Sequence, residues 1–261
     1  MSAETFESPV RHRRSLKSLA RAVLRKDNYV GAVRAFLLAR KPVDFMSRYI
    51  RNGGLYPADI ALRSPTGPLS IRTYSPDDIQ TINEIFFRGD YAFTGENRVI
   101  VDFGSNIGVS CIYFLSRVPD AVCYGFEPLP QNIERFKANL AAFPGQFELT
   151  EAAVGEARGQ VTFGWEPTGR YGGIGRETGA SITVECRDSN EELDRVLSKH
   201  GQIDVLKVDI ETMEKVVIER IPEALARRIR NVVVEYVFVT NPLSATHTMS
   251  VEATTTRFRL R

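Results

Sequence analysis

The segment Asp102-Phe103-Gly104-Ser105-Asn106-Ile107-Gly108 joins the apolar run RVIVDF to an apolar helical stretch. Gly104 and Gly108 let the backbone turn sharply and approach a ligand, while the first amide groups of the following helix point into the same space. A nucleotide-type ligand suits such a place. A dinucleotide fingerprint spaces its glycines as G-x-G-x-x-G and keeps the helix end clear for a pyrophosphate. Here the order is D-x-G-x-x-x-G, with a carboxylate closing the strand. That carboxylate disfavours a pyrophosphate and suits a ligand carrying an ammonium group, such as the methionine part of S-adenosylmethionine. Glu127, 25 positions after Asp102, ends the next apolar run, where an acid in doubly wound sheets accepts hydrogen bonds from both ribose hydroxyls. Pro128 and Pro130 end that strand and start the next helix. Ribose occurs in NAD as well, so Glu127 alone does not separate the two ligands.

A third group is Lys207, Asp209, Glu211 and Glu214. Side chains two apart on a strand share a face, so Lys207 and Asp209 of DVLKVDI point the same way, and a lysine in a buried strand is costly unless an acid pairs with it. Asp209 is its expected partner. In the common doubly wound order this strand lies beside the one ending in Asp102 and beside the one before Glu235, which would gather three carboxylates and one ammonium at the ligand-binding ends of the strands. Crowded acids raise one another's pKa, so Asp209 or Glu211 is a candidate general base for a hydroxyl, or, with Glu235, a ligand for a divalent metal such as magnesium. Glu211 and Glu214 also suit a helix's first turn, where acids offset the dipole.

Positioning these residues takes alternating strands and helices. From Arg98 onward short apolar strands alternate with amphipathic helices: RVIVDF, a helix over about 106–118, VCYGFE, a helix over about 130–142, FELTEAAV, then a helix near 190–199, DVLKVDI, a helix over about 211–220, and NVVVEYVFV. Five principal strands rich in Val, Ile and Leu predict an α/β fold with a doubly wound, mostly parallel, buried sheet. Between FELTEAAV and the 190s lies a Gly-rich insertion, expected to be a mobile loop or hairpin outside the core. Its Trp165, Arg170 and Tyr171, with the N-terminal hairpin, are candidates for an acceptor pocket. Residues 1–90 are expected to form an N-terminal extension and 91–261 the catalytic domain. In the extension, Leu16, Leu19, Val23 and Leu24 recur at helical spacing among arginines and lysines. Helices over about 29–40 and 43–52, a β-hairpin around Pro65-Thr66-Gly67-Pro68 and a short helix over about 77–87 follow.

With 43% hydrophobic and 25% charged residues, disorder, collagen and coiled coil are excluded. A formal net charge of +2 gives no case for nucleic acid as the main partner. The charge is uneven: residues 1–41 hold ten basic and three acidic residues, so peripheral contact of this arm with an anionic surface is a candidate alongside a docked helix with a solvated face. Three cysteines with no C-x-x-C pair point to a reducing, cytoplasmic setting and away from zinc. Neither a signal-like start nor a run of about 18 apolar residues is present, so no membrane span is expected.

Taken together, VIVDFGSNIG, YGFEP, EAAVGE, DVLKVDIETME and VVVEY, in this order, resemble the FkbM family of S-adenosylmethionine-dependent methyltransferases. The resemblance implies a class I methyltransferase, Rossmann-like domain. It also implies methyl transfer to a hydroxyl of a sugar, glycoside or polyketide-like product, so the partner is a small-molecule or glycan acceptor. Its cofactor residues carry over onto Asp102, Gly104, Ser105, Asn106, Gly108, Glu127, Pro128 and Ala153, with Tyr91 matching an aromatic position before the first strand. Its acidic motif carries over onto Asp209, Glu211 and Glu214, so that Asp209, Glu211 and Glu235 are the candidate catalytic residues. The family commonly has glycine where this chain has Thr212, which would require a reshaped loop if that position needs positive φ. It also commonly has histidine shortly after the residue matching Glu235, where Tyr236, Val237 and Phe238 stand here; His247 is the candidate substitute base. Beyond Val239 the tail is too short for the usual helix and antiparallel strand pair, so one closing strand or an irregular, shortened end is expected. The alternatives are a cofactor- or partner-binding module with little turnover, and an NAD-linked oxidoreductase, for which no Tyr-x-x-x-Lys pair is evident.

Overall fold

A computed structural model describes residues 26–166, 172–177 and 179–261. The basic helix expected before residue 26, and Arg170 and Tyr171 of the insertion, lie outside these residues. Contacts divide the chain into two units, one formed by residues up to Arg63 with Ser70–Asp90, the other by Ser64–Leu69 with Tyr91–Arg261.

In the first unit, helices α1 (Lys26–Leu38) and α2 (Pro42–Arg51) precede the hairpin strands β1 (Ala58–Ser64) and β2 (Gly67–Thr73) and helix α3 (Pro76–Ile82). Helix α3 begins with a capping box: the Ser75 hydroxyl accepts from the Asp78 amide and the Asp78 carboxylate accepts from the Ser75 amide. The helix continues as a π-helical segment, Asn83–Arg88, and stops at Gly89, whose φ is 81°. Phe45, Ile79, Ile82 and Phe87 form its buried interior.

The second unit is built on a seven-stranded sheet. Strands β3 (Val99–Phe103), β4 (Val122–Phe126), β5 (Phe147–Thr150), β10 (Ile203–Val208) and β11 (Ile229–Val234) are parallel neighbours in the order β11-β10-β3-β4-β5. Helices α4 (Val109–Leu115), α5 (Pro130–Asn139), α6 (Ser189–His200), α7 (Glu214–Glu219) and α8 (Glu223–Ala226) connect them. Every residue of β10 and of α4 is buried, as expected of elements covered on all sides. Pro130 opens α5, and Asp188 caps α6 by accepting from the amides of Asn190 and Glu191. The doubly wound, mostly parallel α/β arrangement expected from the strand–helix alternation is present.

Four local expectations are corrected. FELTEAAV is two strands, because β6 (Ala153–Gly155) leaves the main sheet and pairs with β9 (Ala180–Asp188). With β7 (Gly159–Trp165) and β8 (Gly172–Ile174), the insertion makes a four-stranded sheet of order β6-β9-β7-β8. It has its own apolar cluster of Leu129, Ala153, Phe163 and Val184, so it is folded structure rather than a loop. Helix α4 starts at Val109 instead of 106, since Asn106 and Gly108 have left-handed φ of 49° and 86°; helix α7 starts at Glu214 instead of 211, since Glu211 and Thr212 have φ of 51° and 71°. The tail holds two strands, β12 (His247–Glu252) and β13 (Thr255–Leu260), and β13 pairs antiparallel with β11. Eight of the twelve residues of these strands are polar, which hid the pair from a search for apolar runs. Among the described residues no helix is long and apolar enough to cross a membrane.

Candidate active site

In β10 the side chain of Lys207 stands directly opposite Asp102 of β3 in the parallel register. Its Nζ lies 3.0 Å from Asp102 Oδ1 and 3.5 Å from Asp209 Oδ2, and donates to the Gly104 carbonyl at 2.6 Å. The nearest partner is therefore Asp102 rather than the expected Asp209. Burial alone would depress the Lys207 pKa, but the carboxylates of Asp102 and Asp209 raise it above the ordinary lysine value, so the ammonium stays charged inside the sheet.

Asp102 itself is fully buried. Besides Lys207 it receives the Ser110 hydroxyl and, at 3.3 Å, the Cys111 thiol. It is not among the residues lining the cleft described below, and the ammonium that meets Asp102 here is the protein's own Lys207. Through Lys207 and the Gly104 carbonyl, Asp102 sets the loop. That loop is tightly fitted, for a Cβ on Gly104 (φ 83°) would fall 1.8 Å from the Asp209 carbonyl oxygen. Ser105 is likewise internal: its hydroxyl donates to the Asp102 carbonyl at 2.8 Å and accepts from the Phe126 amide at 3.0 Å. Gly108 turns the chain into α4 against Leu140 and Phe136, and a Cβ there would lie 2.4 Å from Leu140 Cδ1. These three expected contact residues shape the loop from behind.

In front of the loop, at the carboxyl ends of β3, β4 and β10, opens a cleft, the place where ligands of such sheets bind. Gly104, Asn106, Glu127, Pro128, Ala153, Asp209 and Glu211, all candidate site residues of the sequence, line it; so do Phe163 and Ile174 of the insertion sheet. The alternation in GQVTFGW and SITVECR was the available signal for that wall. Arg176, also unremarked before, follows β8 and pairs with Glu211 at 3.0 Å, while the Thr212 hydroxyl donates to the Ile174 carbonyl at 3.1 Å.

Glu127 is 5% exposed. Its Oε2 accepts from the Asn106 amide at 2.9 Å, and its Oε1 from the Leu129 amide at 3.0 Å and Asn132 Nδ2 at 3.4 Å. Burial pushes its pKa up to about 7, although the hydrogen bonds and Lys207 pull the other way. Glu214 has its pKa raised, first by burial and further by Asp209 and Glu211. Its Oε1 accepts from the Ile210 amide at 3.2 Å and so braces the turn rather than facing a ligand.

Tyr91 is buried, and its hydroxyl donates to Glu235 Oε1 at 3.2 Å; neither residue lines the cleft. Glu235 follows β11 and is close enough to Lys207 to act on its charge, so the expected gathering of Asp102, Asp209, Glu235 and Lys207 is present, with Asp102 at its buried end. His247 is not a base for this site. It is buried, with Nδ1 2.7 Å from the Thr246 hydroxyl and Nε2 2.9 Å from the Ile229 carbonyl.

Among the described residues the one compact group of three or more potential metal ligands is Asp102, Cys111 and Cys123. That donor set does not fit a cation. Both thiols have pKa values raised by burial, and the Lys207 ammonium already sits 3.0 Å from Asp102.

Residues 102–251 match the family described as the methyltransferase FkbM domain. The 31-O-demethyl-FK506 methyltransferase FkbM of Streptomyces tacrolimicus is 26% identical over 167 residues, 52% of this chain and 64% of that protein. The AMB antimetabolite synthetase AmbE of Pseudomonas aeruginosa is 26% identical over 191 residues, 59% of this chain and 9% of that protein. The chain thus spans less than two thirds of either relative. A crystal structure of methyltransferase FkbM from Methylobacillus flagellatus KT aligns with 75% of this chain and 48% of its own, at 12% identity and a TM-score of 0.39.

Proposed function

We propose that this chain, which belongs to the FkbM methyltransferase family, transfers a methyl group from S-adenosylmethionine to a hydroxyl oxygen of a sugar, glycoside or polyketide-like natural product. The observation that carries the reading is the cleft's lining: three acids, Glu127, Asp209 and Glu211, and an apolar wall of Ala153, Phe163 and Ile174, with no Lys, Arg or His in the lining among the described residues. Acceptor-rich chemistry of this kind fits a cationic ligand bearing hydroxyl donors and a flat apolar base. It opposes the diphosphate of NAD, and nothing in the comparisons favours an oxidoreductase.

When bound, the cofactor supplies an electrophilic methyl group on a sulfonium. Glu127 accepts the ribose hydroxyls, Asn106 and the Gly104 turn border the same end, Pro128 and Ala153 shape the floor, and the insertion wall excludes water from the base. Asp209 and Glu211 face the cationic end, and Asp209 takes the acceptor's hydroxyl proton at its carboxylate. Glu235, held by Tyr91, acts on the site through its charge on Lys207. Aligning the two reactants supplies much of the acceleration, on the order of 7–11 kcal/mol in favourable cases. Tyr236, Val237 and Val239, exposed just after Glu235, offer apolar surface that suits a natural-product acceptor. The Streptomyces relative, named for an O-demethyl substrate, supports oxygen as the methylated atom.

Calorimetry with S-adenosylhomocysteine and with NAD, followed by transfer of labelled methyl to a panel of glycosides and polyketide alcohols, tests this. Binding of the adenosyl ligand and label on an acceptor oxygen are expected. Binding of NAD alone overturns the reading, and adenosyl binding without transfer to any acceptor assigns a binding module instead.

A further inference from the structure

Helix α1 presents its apolar side chains the wrong way round for a helix folded only against its own chain. Gly31, Ala35 and Ala39, at or near its end, are buried, whereas Tyr29, Val30, Val33, Phe36 and Leu37 are exposed, the last four at 45%, 60%, 55% and 62%. Positions i, i+1, i+4, i+7 and i+8 share one side of a helix, so these five form a continuous stripe. Small residues pack inward and large ones face solvent. Val43 and Ile50 of α2, seven positions apart, and Leu55 at 87% extend the same unit's exposed apolar surface. Single exposed apolar residues need no explanation, but a stripe of this order marks an interaction surface.

The charge around the stripe selects the partner. Arg40 and Lys41, just past the end of α1, and Arg51, at the end of α2, are exposed. A second copy of the chain laid on this face would bring like charges together, which disfavours self-association. Large apolar side chains on a projecting helix, including a tyrosine that carries a polar tip, need no matching groove if the opposing phase is fluid. We propose that this face of the first unit docks on an anionic lipid surface, with the α1 stripe entering the headgroup–acyl boundary and the basic residues facing the lipid headgroups.

The test is co-sedimentation of the full chain with vesicles of phosphatidylglycerol mixed with phosphatidylcholine, and with vesicles of phosphatidylcholine alone. Binding to the anionic vesicles is expected, weakening as salt is raised. Arg40→Ala and Lys41→Ala should each lower the partition coefficient roughly fivefold, and Val33→Glu with Phe36→Glu by about tenfold or more. Both of the latter sites are more than half exposed, so an unchanged thermal midpoint for the double variant shows that its loss is not unfolding. Emission from a Phe36→Trp protein, compared with the parent, should shift to the blue on anionic vesicles. Equal binding to both vesicle types, binding that the double substitution leaves intact, or a lipid-free dimer that the same substitution dissociates would overturn the proposal; the last would assign the face to a second copy.

Discussion

Lys207 carries its charge inside a strand buried at every position, and what stabilises it there is Asp102 across the register, Asp209 two residues on and the Gly104 carbonyl. Removing one partner of such a pair leaves the other buried and unmatched. Lys207→Met is expected to destabilise the protein by about 3–5 kcal/mol, read from urea unfolding, and Lys207→Met combined with Asp102→Leu by clearly less. Glu127 makes a prediction of opposite character. Its folded pKa of about 7 lies above the ordinary 4.5, so between those values the folded protein holds a proton that the unfolded chain has released. The group's contribution to the stability of the unliganded protein therefore falls as pH rises through that window. Ribose hydroxyls donate to the ionised form, so the affinity for S-adenosylhomocysteine should rise as pH passes upward through about 7. Calorimetry across this range, with Glu127→Gln as the pH-insensitive comparison, checks the sign.

Two elements decide the shape of the cleft, the Gly104 turn and the turn that follows β10. Gly104→Ala would drive a Cβ into the Asp209 carbonyl at 1.8 Å, and loss of adenosyl-ligand binding together with a lowered thermal midpoint is expected. Thr212 is strained differently: a β-branched residue at φ 71° keeps its place with a hydroxyl bond to Ile174 on an exposed edge. The turn keeps positive φ without the glycine common in the family. Thr212→Gly should relieve that strain and raise stability by up to about 1 kcal/mol, measurable as a higher urea midpoint. The parallel strands were legible in the sequence because β3, β4, β10 and β11 are largely buried and read as mostly apolar runs rich in Val and Ile. The insertion sheet was not, since glycines at 155, 159, 164, 172 and 173 interrupt strands β6, β7 and β8 and imitate a loop. At the site, spacing disclosed which acids gather but not which of them is already neutralised: Asp102 and Asp209 look alike in sequence, and only the register shows that Lys207 takes Asp102.

Across the whole molecule, the first unit carries basic charge and an exposed apolar helix face, while the second holds the sheet, the cleft and all the acids that line it. A ligand that binds the folded chain alone, at a hundred times its Kd, adds about 2.7 kcal/mol to stability. S-adenosylhomocysteine should therefore raise the thermal midpoint in a concentration-dependent way, and NAD should leave it unchanged. The most direct measurement is a crystal structure with S-adenosylhomocysteine bound. Both ribose hydroxyls are expected on Glu127, the adenine against Phe163 and Ile174, and the amino-acid end on the Asp209 side with Asp102 still paired to Lys207. A ligand seated elsewhere, or an amino group that displaces Lys207 from Asp102, would contradict the account.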